Sequence, residues 1–564
     1  MNRFSHSLWC GLALLALAGC GKAPVQSPAA PARTSAPDQL GRIVERYWDD
    51  HLPFDNAISP QLLADSLNLE RRYLAEALAA GGDRLDANTR LTYEIFIRQR
   101  QIAIEGFTFP AELLPMNPFD GMPQQFAVLA LGTAQHPLAT QADCEAWLRR
   151  TDEYVRWAQQ AIVNMREGTR RGYSTPRALV ERMIPILERL GKDDPTNVFY
   201  VPLTSMPQSI KDPDQRRLAN LISHAISERL LPANRALHDF LQREYLPRAR
   251  SGISLSELPL GPQWYAYRIK RATSTALSPD EIHRFGVAEV ERIAARLQPP
   301  QDAAAAAAAA PRPGDDPLNA YKDLSLQVRA ALPKLFSEIP SADLDIRGAD
   351  WLSVPATPLT YQRPGAAGLP PAVLWVSLGN SGPRAVSIAD FLQQAEPGHH
   401  FQIALQQQRI DLPRFRRFGS EAAFIEGWGL YAAGLGEELG LIAGDAARVD
   451  AAGAEMRCAV ALVVDTGIHA KAWTRAQAFD YLHAHLAVDE ADGQSLVDWY
   501  AANPADALAC KIGETRIRAI RARAQQSLGG RFEVRDFHSE ILKDGAMPMD
   551  ILEAKMKAWM DAQP

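Results

Sequence analysis

Five segments in the C-terminal half hold residue types from which a reaction centre could be built. The first is Gln393-Gln394-Ala395-Glu396-Pro397-Gly398-His399-His400-Phe401-Gln402, where two adjacent histidines follow a Pro-Gly step and are expected to open a helix. The same spacing also fits a solvated helix cap with two exposed histidines. The second is Glu426, in Ala422-Ala423-Phe424-Ile425-Glu426-Gly427-Trp428-Gly429-Leu430-Tyr431. On a helix its neighbours three and four residues away are Ala422, Ala423, Gly429 and Leu430, so the carboxylate should be buried and need a metal or a charged partner. An internal arginine pair is the structural alternative. Gly427 and Gly429 would let another backbone approach. In the third, Asp465, His469 and Trp473 lie four apart and should share a helix face. An Asp that holds a His fixes its tautomer and raises its basicity, although a satisfied core histidine fits as well. The fourth runs from Asn503 to Gly513. The fifth runs from Arg535 through Pro548 and reads as a C-terminal docking segment. Neither of these two indicates a reaction type by itself.

The elements that must position these residues are mostly helices. Residues 141–165 place Trp147, Tyr154, Trp157 and Ile162 on one stripe, opposite Glu145, Arg149 and Arg156. Residues 175–190 open with Pro176 behind a Thr cap, and Ser278-Pro279-Asp280-Glu281 starts a helix carrying Phe285, Val290 and Ile293. Strand signals are few: residues 344–351 and 372–378, the second with the continuous apolar character of a buried strand. The expected fold class is therefore mainly α with a small sheet near the site. A low-complexity segment at 298–317, with alanines from Ala303 to Ala310, reads as an exposed insertion. It separates an N-terminal helical lobe (39–297) from a C-terminal lobe (318–564) that holds the motifs.

The N-terminus reads as an export signal. Arg3 precedes an apolar run from Leu8 to Ala18 that is too short to span a bilayer, and it ends in Leu17-Ala18-Gly19-Cys20. This resembles a bacterial lipobox, which implies a signal peptide over 1–19, acylation of Cys20 and a Pro/Ala/Ser-rich tether over 20–38. Gly21 and Lys22 after the cysteine resemble the sorting signal for the outer membrane, with the folded part facing the periplasm. A net charge of −6 and 22% charged residues give no reason to expect a nucleic-acid partner. Beyond Cys10 and Cys20 only Cys144, Cys458 and Cys510 remain, which allows one bridge at most.

Taken together, the five segments resemble a family of exported bacterial proteins catalogued as domain-of-unknown-function family eight-eight-five. Its members carry HEAxPGHHxQ, EGWALYAExLGxE, VVDTGIHAKGW, PGQALxYKIG and FHxxxLxxGxxPLxxLE. Here these stand in the same order as QQAEPGHHFQ, EGWGLYAAGLGEE, VVDTGIHAKAW, PADALACKIG and FHSEILKDGAMPMDILE. The N-terminal half fits as well, with GYSTPRALVERMIPILE from Gly172 and NVFYVPL from Asn197. The resemblance implies a large, two-lobed helical zinc-peptidase-like fold with a deep cleft. There, histidines and a glutamate from a second helix would hold Zn²⁺, and a glutamate would activate its water. His399, His400 and Glu426 match the ligand-type positions. Asp465 and His469 would support the ligands from behind or act as catalytic donors to the transition state, and Trp428, Tyr431, Lys471 and Trp473 would make ligand contacts.

The departures fall on the chemistry. Gln393 stands at the family's first histidine and Gln394 at its general-base glutamate, while Asp506 replaces a Gln and Cys510 a Tyr. A Gln amide is a poor zinc ligand and accepts no proton near neutral pH, and general-base help alone contributes ~10²–10⁴-fold in rate. The resemblance thus implies a scaffold with zinc weakened or lost, whose cleft binds a peptide or an envelope protein. The rival is a hydrolase in which Glu396 serves as base, with His399, His400 and Glu426 at the metal. A third reading is a purely structural lipoprotein.

Overall fold

The amphipathic period read across 141–165 becomes a 30-residue helix, Gln141–Arg170, with Trp147, Tyr154 and Trp157 buried and Ile162 half-buried at the stripe's edge. Thr140 and Asp143 close a capping box at its start, which satisfies two N–H groups that the helix itself cannot pair. Ser278 and Glu281 do the same for Pro279–Ala294, as the sequence predicts. The helix expected from Thr175 begins two residues later, as Arg177–Gly191, with Pro176 at the cap position. Thr175 donates its N–H to the Tyr245 hydroxyl at 2.8 Å, and Pro176 bridges to Arg250, so this stretch is held extended.

This computed structural model describes residues 36–50, 58–83, 85–131, 138–207, 209–297, 316–349, 359–365, 371–377 and 386–563. The protein is 72% helical with a small three-stranded sheet. The expectations for residues 1–35, including the signal peptide, Cys20 and most of the tether, and for 298–315 of the Ala-rich insertion lie outside the described residues. The last residues assigned to the tether, Ala36 to Asp38, instead form the first turn of helix Ala36–Asp50. No described helix is long and apolar enough to cross a membrane.

In the sheet, β1 (Leu344–Ala349) runs parallel to β3 (Ala372–Ser377), and β2 (Leu359–Gln362) pairs antiparallel on the other side of β3. The central position of β3 accounts for its run of buried Ala372, Val373, Leu374 and Val376. β2 was not legible in the sequence: it has four residues and only Leu359 is buried.

The apolar cores draw on both halves of the sequence. Leu40, Tyr73 and Phe96, from the first three helices, pack in one core with Phe401, Trp428 and Met547. Residues from Met116 to Tyr245 form a second core around Phe126, Trp147 and Tyr154. The low-complexity segment divides the sequence, whereas the chain's beginning packs with its end.

One helix crossing sets the position of the glutamate motif. Ala422–Ala433 meets Leu508–Leu528 at Gly427 and Gly513, backbone against backbone. A Cβ on Gly427 would be driven into the Gly513 backbone, and one on Gly513 into the Ala423 carbonyl oxygen. The disulfide Cys458–Cys510 ties Leu508–Leu528 to the neighbouring helix Asp445–Lys471, as suits an oxidising compartment, while Cys144 is free and buried. Because only backbone lies opposite, Gly427→Ala should cost about 1–3 kcal/mol in a denaturant melt. Gly453→Ala, in a helix with open space around its Cβ position, should stabilise by about 0.5–1 kcal/mol. Equal melts for the two variants would reject the crossing.

Candidate functional site

Glycine sets the site's geometry again at Gly398. A Cβ there would collide with the carbonyl oxygens of Leu392 and Gln393, so only glycine lets the Pro-Gly turn fold back over the end of helix Ile388–Gln394. Helix His399–Gln408 then starts at the first histidine, as predicted. The His399 ring lies across Gly429: a Cβ on that glycine would be 2.6 Å from His399 Nε2 and 3.2 Å from Gln393 Cγ. Glu426, one turn earlier, brings Oε2 to 3.4 Å from His399 Nε2. Gln393, His399 and Glu426 therefore converge. The His399 Nε2 is buried and makes no hydrogen bond, and the side chains of Gln393 and Gln394 are half-buried without one among the described residues.

Glu426 was expected to be buried, but its side chain is 43% exposed. It faces a cleft, which a reading of its own helix could not reveal. Burial within the cleft wall resists its ionisation, yet His399, and Arg363 at longer range, outweigh this and hold the carboxyl below the usual carboxylate range.

The other candidates serve other bonds. Glu396 is fully buried and accepts from Arg329 at both oxygens, Nε at 2.9 Å and the terminal nitrogen at 2.8 Å. His400 turns away from the cleft, with Nε2 donating to the Ala342 carbonyl at 3.2 Å and Nδ1 facing the Tyr361 hydroxyl at 3.3 Å. Asp465 does not hold His469. It accepts from the Tyr265 hydroxyl at 2.5 Å and from the Ala505 N–H at 3.0 Å. His469 instead accepts from the Leu255 N–H and donates to the Tyr500 carbonyl, each at 3.0 Å. The third segment's shared face also ends early. The helix stops at Lys471, Ala472 turns left-handed, and Trp473 folds back onto Gly467.

None of the four expected contact residues lines the cleft. Trp428 donates to the Pro397 carbonyl at 2.8 Å, and Tyr431 meets His538 Nε2 at 2.8 Å. Lys471 pairs with Asp280 at the surface, and Trp473 packs against His283. Trp428 and Tyr431 are core residues, and His538 anchors the C-terminal segment through the Leu335 carbonyl.

The cleft itself has a volume of about 1500 Å³ and reaches Glu426. Much of its wall comes from the N-terminal half, including Arg98, Phe109, Trp264, Tyr267 and Arg271. Sequence reasoning missed all of these, as it missed Arg329 and Tyr361. None sits in a recognisable motif, and only the fold brings them together. Cys510 and Asp506, two of the departures, lie on this wall, and Asp506 pairs with Arg268 at 3.2 Å. Among the described residues no three His, Cys, Asp or Glu side chains stand close enough to hold a metal ion.

The chain belongs to a family of bacterial proteins of unknown function, DUF885, whose model matches residues 39–556. Its fold resembles a lipoprotein candidate from Colwellia psychrerythraea, with a TM-score of 0.82 and 22% identity over 94% of this chain and 100% of that one. A lipoprotein candidate of unknown function from Shewanella oneidensis matches with a TM-score of 0.61 and 14% identity, over 93% and 98%. None of the curated proteins matches.

The buried groups make opposite contributions to acid stability. Burial holds His400, His469 and His538 neutral, lowered to about 4, 3 and 4. Unfolding lets them protonate near 6.5, so the stability from each is complete above that pH. About 2 kcal/mol per histidine is lost by pH 5. Burial pushes Asp465 up to about 7, against its hydrogen bonds, so its neutral folded form gains stability as pH falls. Asp465→Asn removes that gain, and between pH 7 and pH 5 it should lose about 2 kcal/mol more than wild type in denaturant midpoints. Equal losses would reject this assignment.

Proposed function

We propose that this protein is an envelope lipoprotein, anchored through Cys20 to the outer membrane and facing the periplasm. Its peptidase-like cleft would bind a peptide or a segment of an envelope protein without cleaving it. The observation that carries this reading is the placement of Glu396. The only carboxylate in the first motif is fully buried and clamped by Arg329, while the general-base position is Gln394. Moving Glu396 to a substrate would break its paired hydrogen bonds to Arg329 and take the carboxylate out of its buried position.

The donors at the convergence point are one imidazole, one carboxylate and one amide. Catalytic zinc ordinarily has three strong protein ligands, so this set fits it poorly. Against a purely structural role stands the open cleft of about 1500 Å³, larger than packing alone requires. The lipid anchor is supported by the N-terminal cysteine pattern and by two proteins of similar fold that are described as lipoprotein candidates.

The buried and unbonded His399 Nε2 beside Glu426 favours one second reading, a hydrolase that keeps a metal there. Elemental analysis separates the two. The protein from Lys22 onward, incubated with excess zinc and dialysed, should retain well under one equivalent. Gln393→His combined with Gln394→Glu should take up about one equivalent and gain hydrolysis of unblocked peptides. Stoichiometric zinc in wild type that disappears in Glu426→Ala would overturn the proposal and turn attention to the hydrolase.

A further inference from the structure

We propose that a second, smaller cavity on the wall of the cleft receives an uncharged, apolar side chain of the ligand, one about the size of a benzene ring. This deepens the peptide-binding reading and rests on it.

The cavity has a volume of about 150 Å³ and borders the cleft along Ala111, Trp264 and Arg268, which line both. Trp264 and Arg268 lie four residues apart on the helix Gly261–Thr273, so one face of that helix forms the partition. Behind it stand Met116, Leu179, Leu255 and Ala501, all buried. Ala111 is exposed and the Arg268 side chain is 24% exposed, which puts the mouth at these two residues, on the side of the cleft. Close-packed interiors hold few voids larger than a water molecule, so a hollow of this size is room for a group from outside. An apolar cavity of about 150 Å³ admits benzene.

The partition is held in place on both sides of the mouth. Trp264 stacks on Phe109 with ring centroids 5.8 Å apart, and the Tyr173 ring meets it edge-on at 6.4 Å. Arg268 donates through Nε to the Pro504 carbonyl at 3.1 Å and through a terminal nitrogen to Asp506 at 3.2 Å. The entrance is therefore preformed, and its cation is neutralised.

The other polar side chains that line the cavity are engaged as well. Thr175 Oγ1 accepts from the Tyr245 hydroxyl at 3.2 Å. Arg250 donates to the Ser174 carbonyl at 2.8 Å and the Gly252 carbonyl at 3.1 Å, and it reaches Glu257 at 3.3 Å. A charged side chain entering here would give up its water for groups already bonded to one another. An apolar one strands no polar atom and gains by leaving water.

Four blocked tetrapeptides test this: acetyl-Ala-Ala-Xaa-Ala-amide with Xaa as Ala, Phe, Glu or naphthylalanine, titrated by calorimetry into the protein from Lys22 onward. The Phe peptide should bind at least about ten-fold more tightly than the Ala peptide. The Glu peptide should show no such gain, and the naphthyl ring, too large for the cavity, should lose it. Ala111→Trp, a change at an exposed position of the mouth, should bring the Phe peptide down to the affinity of the Ala peptide. Affinity that rises again from Phe to naphthylalanine would place the side chain on an open wall and overturn the cavity site. Equal binding of all four would overturn it too and leave the peptide-binding cleft standing. No binding of any at millimolar concentration would overturn both. The size series uses wild-type protein, so it decides the matter even if the variant fails to fold.

Discussion

The contact between Gly427 and Gly513 is the constraint on which the site depends. Two helices that carry side chains at their crossing pack about 8–10 Å apart. Here glycine faces glycine, and the backbones come closer than any Cβ allows. That approach fixes the rotation of the Ala422–Ala433 helix. Trp428 and Tyr431 then point into the core, and Glu426 points into the cleft. It also brings the Leu508–Leu528 helix, with Cys510 on the wall, within reach of Cys458. Gly429 extends the same logic by one more turn, since its missing side chain makes room for the ring of His399.

Around this crossing, charge is used mostly for cohesion. Lys511, almost completely buried, lies within 2.9 Å of Glu289, 2.8 Å of Glu455 and 3.0 Å of Glu514. Arg292, Arg296 and Arg518 balance the excess negative charge from the rim. Such networks contribute little net stability compared with apolar packing, but breaking one partner is expensive, so they hold neighbouring helices in a single register. Glu396 with Arg329 belongs to this class of interaction. So do Asp465 with Tyr265 and His469 with its two backbone partners. Residue types familiar from active sites are here saturated by internal bonds. Glu426 and His399 are the exceptions, because their own pairing lacks hydrogen-bond alignment.

The sequence revealed the fold class, the long helices and the central strand, because each depends on a local period or cap. Trp147, Tyr154 and Trp157 recur at helical spacing, and Ser278 and Glu281 make a capping box whatever lies around them. It revealed the convergence of the first two motifs only through resemblance to a family. What stayed hidden is non-local. The partner of Glu396 is 67 residues away at Arg329, and that of Asp465 is 200 residues away at Tyr265. Periodicity also misled at Trp473, where a left-handed residue at Ala472 ended the helix one step before the shared face was complete. The sharing of one core by the two ends of the chain was hidden for a similar reason. A compositional break marks where the chain is unlike itself, whereas Leu40 and Met547 share a core through packing that no composition records.

These constraints explain how the site can change its chemistry without losing its shape. In a small metal domain the ligand bonds create the fold, so losing a ligand loses the structure. Here the shape comes from backbone contacts at Gly398, Gly427, Gly429 and Gly513, and from apolar cores distant from the cleft. Gln393 and Gln394 are half-buried and form no internal hydrogen bond among the described residues, so a change of residue there removes no hydrogen bond from the scaffold. Glu426 and His399, by contrast, cannot move independently of Gly429, because the ring and the carboxylate share the space above one turn of helix. The positions of Glu426, which faces the cleft, and of His399 beside it are therefore set by the packing of the helices that carry them.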